Sequence, residues 1–470
     1  DGSNYGRITK GTALAMKARA ALYYGEWQVA ADNAKKCMDL GVYELYDKGN
    51  TGKYAELFWE VSDGCSEFIC VRQYEAGVNG SYLIGWDAFP TLGWGGINPT
   101  QSLVEAFEDI EGAPLAKSTI YDPTNPFENR DPRLEVNVLH DGEVMYGQTI
   151  KVAPLPSSGN TGIGQHGDAT ATGYYQQKWL DPSIYPLTDG WDMGKDGVVI
   201  RYAEVLLNLA EAACATNNMA EAVQILQRIR ARAGYTAENN YGLSANLSGN
   251  QSACMSAILY ERQIEFAYEG KRFEDMRRWL LFDGGKDFGK IGAVELTGWG
   301  GNTCTWLGVK PMNGQRRENM EFRLKDDYNY SDGTSGREWR VNSSVPAERD
   351  KDNPDPIIGG NSPKMSRADR DAYAVDLSEK SIKKISLDEQ LESLKEFYST
   401  YLVRKTKKGD GYDSGNSQLY IEFEPRYYFL GLTQSAQINN PTMLQTVGWE
   451  DYKQGGNGTF DPLVERVIAE

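Results

Sequence analysis

Histidine is almost absent from this chain: His140 and His166 are the two found in 470 residues. A serine or cysteine nucleophile would have only those rings as general base, and neither sits in a recognisable constellation. No GxSxG elbow, P-loop or HExxH occurs. Paired carboxylates could in principle hydrolyse a glycosidic bond, but 66 acidic residues give no basis for choosing a pair. No catalytic residue is therefore assigned. Cys37, Cys65, Cys70, Cys214, Cys254 and Cys304 include no CxxC, so no zinc site, other metal or cofactor is expected. Cys65 and Cys70 are placed on opposite faces of one strand, unable to bridge. Basic charge is also short. The 49 Lys and Arg against 66 Asp and Glu leave a net −17, a field that repels phosphate backbones and excludes nucleic acid as the natural partner. No apolar run reaches the roughly 18 residues of a membrane helix, and DGSNYGRITKG at the start lacks the features of a signal peptide.

Aromatic surface is in excess. The 28 Tyr and 11 Trp exceed the needs of one core, so some rings are expected on binding loops. Ala13, Met16, Ala20 and Tyr24 recur at helical spacing up to Gly25, and Ala30, Ala34 and Cys37 continue to Gly41, which predicts a helical hairpin. Its turn, LYYGEWQVA, has a tetratricopeptide pattern: a glycine lets two helices pack closely and an aromatic two residues later wedges between them. A second hairpin starts at Val199. Tyr202, Val205, Leu206, Leu209 and Ala213 form its first stripe, and Ala222, Leu226, Ile229 and Ala233 its second, after a turn at Asn217 and Asn218. The roughly 190 residues between the two turns exclude a simple tandem solenoid and predict an insertion in the helical layer.

A third helix over 252–268, carrying Ala257, Tyr260, Ile264 and Ala267, is expected to end at Gly270, with a charged helix over 272–280. This region contains ERQIEFAYEGKRFEDMRRW, residues 261–279, with five acids against five bases. Such a balance favours mutual pairing over a catalytic cleft. Glu274 and Asp275 are in reach of Arg278, Arg262 and Glu265 are three apart, and Phe273, Met276 and Trp279 are expected to face the core. The fold class is mainly α, with tetratricopeptide-like hairpins as scaffold. Residues 1–46 form the first hairpin, 47–198 a loop-rich insert with short strands, 199–282 the second hairpin and charged helix pair, and 283–470 a loop-rich segment packing on the scaffold. That last segment has one helical stretch near 386–401, and FEPRYYFLGLTQSAQINNP is expected as a strand or turn against the body.

GIGQHG at 162–167 fits GxGxxG, but no strand precedes it and no helix follows, so it is expected to be a loop. Asp327, Asn329, Ser331 and Glu338 have calcium-loop spacing, yet position 6 is Asp332 in place of the turn glycine, and a solvated acidic loop is expected. The informative loop is YEAGVNGSYLIGWDAFPTLGW. Tyr74, Tyr82, Trp86, Phe89 and Trp94 stand among glycines, too irregular for an amphipathic element and suited to flat platforms for the C–H faces of sugars. The competing reading is that these rings plug the junction between insert and helices.

Taken in order, YGRITKGTALAMKARAALYYGEW, EFICVRQY, NPTQSLVEAFE, NRDPRLE, GYYQQKW, IRYAEVLLNLAEA, ERQIEFAYEGKRFEDMRRW and EPRYYFLGLTQSAQINNPTMLQTVGW give a chain that resembles the SusD/RagB family of surface nutrient-binding lipoproteins. The resemblance implies an α-helical scaffold, no catalysis, a lipid-anchored place at the cell outer membrane, and delivery of oligosaccharide, or in some members peptide, to a SusC-type TonB-dependent transporter. It also implies that a lipidated cysteine and further helices precede residue 1. Ligand-contacting aromatics lie in the family between the segments matched here by EFICVRQY and NPTQSLVEAFE, which points to Tyr82, Trp86 and Trp94. Asn79, Asp87 and Asn98 are their polar neighbours. Trp299 and Trp306 form a secondary aromatic candidate.

Overall fold

The computed structural model describes residues 6–46, 51–121, 126–285, 303–313 and 421–461, apart from residues 91, 153–155, 163–165, 171, 187–191, 422 and 441. The calcium-type loop 327–338, Trp299 and the stretch 386–401 lie outside the described residues.

Helix α1 (Lys10–Tyr24) starts at Thr9, whose hydroxyl accepts the Thr12 N–H, and stops at Gly25, where φ of 84° suits glycine. Helix α2 (Trp27–Met38) packs back on it. Their shared face is built of Ala15, Ala18 and Ala21 against Ala30, Ala31 and Ala34, all buried. The face differs from the expected stripe: Met16 and Tyr24 are exposed. Methyl-sized side chains let the helices approach, whereas a methionine there would hold them apart.

The insert supplies strand β1 (Phe68–Arg72), short helices α3 (Leu83–Asp87), α4 (Gln101–Ala106) and α5 (Leu134–Asn137), and the two-residue strands β2 (Val138–Leu139), β3 (Val144–Met145), β4 (Gln148–Thr149) and β5 (Tyr175–Gln176). Strand β6 (Gly197–Arg201) returns antiparallel to β1, pairing Cys70 with Ile200 and Arg72 with Gly197. Cys65 falls in the turn before β1, not in the strand, and all six cysteines are unbridged. The insert has its own core. Ile84, Ala88, Phe89, Leu139, Met145, Tyr146, Ile150 and Tyr175 meet there, with Phe89 edge-on to Tyr175 at 6.1 Å.

Helix α6 (Tyr202–Ala215) is buried on every side, and α7 (Met219–Ala233) and α8 (Gln251–Glu265) flank it. A helix so enclosed must satisfy each polar group it carries. Glu204 pairs with Arg19, Asn208 accepts from Arg262 at 2.8 Å, and Glu211 accepts from Arg278 at 2.6 Å and from the Trp279 indole at 2.7 Å. Helix α8 ends at Glu265, before the expected position, and Gly270 at φ 71° leads into α9 (Arg272–Arg278).

The charged stretch is a clamp, as its balance of charges predicts, but its pairs differ in detail. Asp275 pairs with Arg278 as expected, at 2.8 Å, but Arg278 also reaches Glu211, so Glu274 pairs with Arg277 at 3.1 Å; Arg262 holds Asp275 at 2.8 Å, not Glu265. Phe273 is exposed while Trp279 is fully buried. Glu265 lies at the centre of a larger network. It accepts from Arg201 on β6 at 2.6 Å, from Arg232 on α7, and from Arg133 beside α5 at 3.2 Å; Arg201 and Arg232 also share Glu67.

Helix α10 (Thr303–Leu307) carries Trp306, the secondary aromatic candidate, which is half-buried with its ring parallel to Trp279 at 6.3 Å. Of the two forms expected for the C-terminal segment, strand or turn, the described residues show the turn, a 3-10 turn at Pro425–Tyr428 followed by α11 (Gln434–Asn439), anchored by Phe423 stacked on Phe282 at 3.8 Å. Among the described residues no helix is long and apolar enough to cross a membrane.

Burial would raise the Glu265 carboxyl, but Arg232, Arg201 and Arg133 outweigh it and hold it far below the usual range. Burial is likewise outweighed at Asp275, brought down to about 2 by Arg262 and Arg278. A depressed carboxyl stabilises the fold above its unfolded pKa, near 4, and that stability is lost as pH falls through the folded value. Acid unfolding followed by circular dichroism should therefore set in below about pH 4. Glu265→Gln, which leaves buried guanidinium groups without their counter-charge, should cost about 3–5 kcal/mol in urea unfolding at pH 7.

Candidate functional site

The loop rings divide into two sets. Phe89 is fully buried in the insert core and Tyr74 is half-buried, whereas Tyr82, Trp86 and Trp94 are 59%, 60% and 48% exposed. Helix α3 explains the division: Ile84 and Ala88, four residues apart, bury one side of its turn, which leaves Trp86 outward.

Trp94 reaches Trp86 through a glycine turn. The N–H groups of Trp94, Gly95 and Gly96 donate to the carbonyls of Gly85, Ala88 and Trp86 at 2.9, 2.8 and 2.7 Å. A Cβ on Gly93 would meet Ile84 O at 2.3 Å, and one on Gly95, at φ 54°, would meet Asp168 O at 2.4 Å. These glycines permit the backbone contact that sets the ring positions. The indole centroids lie 4.8 Å apart at 79°. They make an exposed corner, differing from the flat platform expected, because edge-to-face contact is the favoured geometry for two neighbouring rings.

The polar neighbours fare unequally. Asn79 is exposed and donates to Gln73 O at 3.4 Å. Asn98 is half-buried and donates to Gly95 O at 2.9 Å, bracing the turn. Asp87, one residue beyond Trp86, is turned inward and buried, so it does not stand at the ring surface as expected; burial pushes its carboxyl up to about 6.

A recess near these rings in the chain escaped the sequence reading. It measures about 360 Å³ and is lined by Arg72, Tyr74, Trp179, Met193, Lys195 and Asp196. Ser81 and Leu83, on either side of Tyr82, also border it, and Ser81 is bridged to Met193 by backbone hydrogen bonds of 2.8 and 3.0 Å. The recess therefore borders the backbone segment that carries Tyr82. Trp179 belongs to GYYQQKW, a segment whose spacing carries no sign of the recess. A 3-10 turn over Pro156–Thr161 leads into the GIGQHG segment; among the described residues no strand precedes it and no helix follows it, as expected of a loop.

Residues 71–449 match the SusD family model, and the chain belongs to that family. A solved SusD-like protein of Bacteroides fragilis is 28% identical, aligning 60% of this chain with 56% of its own at a TM-score of 0.50. A SusD-like carbohydrate binding protein of the same species is 27% identical, aligning 60% of this chain with 54% of its own at a TM-score of 0.53. SusD-like protein P2 of Formosa agariphila is 34% identical over 105 residues, 22% of this chain and 20% of that protein. The chain thus matches about half the length of these two solved relatives and a fifth of the curated one. The helical architecture is that of SusD-like structures.

Gly95→Ala should force the turn away from Asp168, reduce the near-ultraviolet circular dichroism of the tryptophan pair, and cost about 1–3 kcal/mol. An unchanged spectrum would show that the turn does not set the ring geometry.

Proposed function

We propose that the chain is a non-catalytic glycan-binding protein of the bacterial cell surface that captures an oligosaccharide at the Trp86–Trp94 corner and delivers it to a SusC-type TonB-dependent outer-membrane transporter. The observation that carries this reading is the pair of exposed indoles, fixed by backbone hydrogen bonds on a glycine turn above a packed core. Water-exposed tryptophan at a rigid position suits the apolar C–H face of a sugar, and the ring edges leave its hydroxyls open to polar neighbours. Tyr82 extends the apolar surface, and Asn79 offers an exposed amide. Asp87 and Asn98 act from beneath, as part of the support. Membership of the SusD family and the description of one solved relative as carbohydrate binding favour the same ligand class. On this reading the protein is held at the outer membrane by a lipid anchor.

Calorimetry with a glycan panel tests the site. The expected affinity is micromolar or weaker per site, and Trp86→Ala/Trp94→Ala should weaken binding at least about tenfold, or about 1.4 kcal/mol. Unchanged affinity in the double variant would remove the corner from the binding surface. Oligosaccharide incubated with the protein should yield no new reducing ends. A ladder of peptide masses in co-purified material would replace the glycan with a peptide ligand.

A further inference from the structure

The junction between α5 and the β3–β4 hairpin gathers three metal-competent side chains from the nine residues 135–143. Glu135 leaves α5, His140 follows β2, and Glu143 precedes β3; one ligand atom from each lies within 4.8 Å of the other two. The imidazole is held rigidly. Its plane stacks on Phe127 at 3.6 Å and 2°, and its side chain is only 12% exposed. Nδ1 lies 3.0 Å from the Asp141 carbonyl, which can only accept, so Nδ1 carries a proton and the neutral ring keeps its lone pair on Nε2.

In the neutral form of the ring Nε2 faces two carboxylates, which favour a proton there in the absence of a cation. Nε2 is 3.4 Å from Glu135 Oε1 and 3.7 Å from Glu143 Oε2, both longer than a well-formed N–H···O hydrogen bond. The 3.4 Å spacing of His140 and Glu135 suits a different occupant, and the other ligand pairs need only small side-chain shifts to match it. Ligands about 2.0–2.2 Å from a tetrahedral cation stand about 3.3–3.5 Å from each other. A carbonyl-bonded Nδ1–H is also the arrangement that orients a metal-bound imidazole. Glu143 Oε2 is positioned from the backbone side by the His140 N–H at 2.6 Å.

We infer that Glu135, His140 and Glu143 form a three-ligand site for a divalent first-row transition cation of the zinc class. Imidazole nitrogen selects against calcium and magnesium, whose preferred donors are all oxygen. Glu135, with a side chain 51% exposed, leaves the cation open to solvent for a fourth ligand. Bound there, the cation joins the end of α5 to the entry of the β3–β4 hairpin and neutralises two neighbouring carboxylates. The expectation of no metal site rested on cysteine spacing and on the scarcity of histidine; this arrangement uses one histidine and no thiol.

The presence of only two histidines makes the test direct. In protein labelled with ¹⁵N-histidine, one equivalent of Zn²⁺ should shift the Nε2 resonance of His140 while Nδ1 stays protonated, and should leave His166 unmoved. His166→Gln assigns the two rings. Glu135→Gln, at an exposed position, should weaken the Zn²⁺ response at least tenfold with the near-ultraviolet spectrum unchanged. Glu135→Gln/Glu143→Gln should abolish the response, the glutamine oxygen still being able to accept the His140 N–H. No shift at His140, equal shifts at both rings, or a response that survives Glu135→Gln would overturn the assignment.

Discussion

The carboxylate of Glu265 is the point on which the two halves of the molecule depend. It is fully buried and reached by guanidinium groups from three separate segments: Arg133 in the insert, Arg201 at the end of β6, and Arg232 on α7. No apolar contact could enforce this junction so narrowly, because hydrophobic burial is indifferent to direction whereas a buried charge is strongly destabilising unless each partner is in place. The network continues through Arg133 to Asp131 and Glu261, and through Arg201 to Glu269 and Lys178. The insert is thereby fixed to the helices at its base while its far side remains open to build loops.

Those loops are rigid where it matters. The tryptophan corner rests on the insert's own core, with Phe89 beneath, and is closed by three backbone hydrogen bonds from a turn that only glycine fits. Exposed indoles on a mobile loop would lose conformational freedom on binding any ligand, and that cost would weaken the contact. Here the cost is met during folding.

Much of the scaffold was legible because burial leaves a periodic trace. The stripe of α7 matches, as Ala222, Leu226 and Ile229 are buried, while in α6 the expected Val205, Leu206 and Leu209 are buried together with every other residue of the helix. In α1 the wrong face was favoured: large Met16 suggested the core, while close helix approach actually selected Ala15, Ala18 and Ala21. The clamp was recognised from charge balance, but partners such as Glu211 for Arg278 lie on another helix and have no signature in local spacing. At the surface, glycine-rich surroundings identified Trp86 and Trp94 as candidates for exposure. Their perpendicular arrangement depends on hydrogen bonds between residues 85–88 and 94–96, which composition does not encode. Asp87 was misplaced because its chain neighbour is exposed; one step along a helical turn reverses inside and outside.

The ion network also imposes an order on synthesis. Arg133 and Glu265 are 132 positions apart, and Glu67 and Arg232 are separated by 165. A chain emerging from its N-terminus must carry Glu67, Asp131, Arg133 and Lys178 hydrated until the segment around Glu265 has been made, since enclosing them earlier would strand their charges. The helices written last in this part of the chain are thus the ones that complete the enclosure of the loops written first.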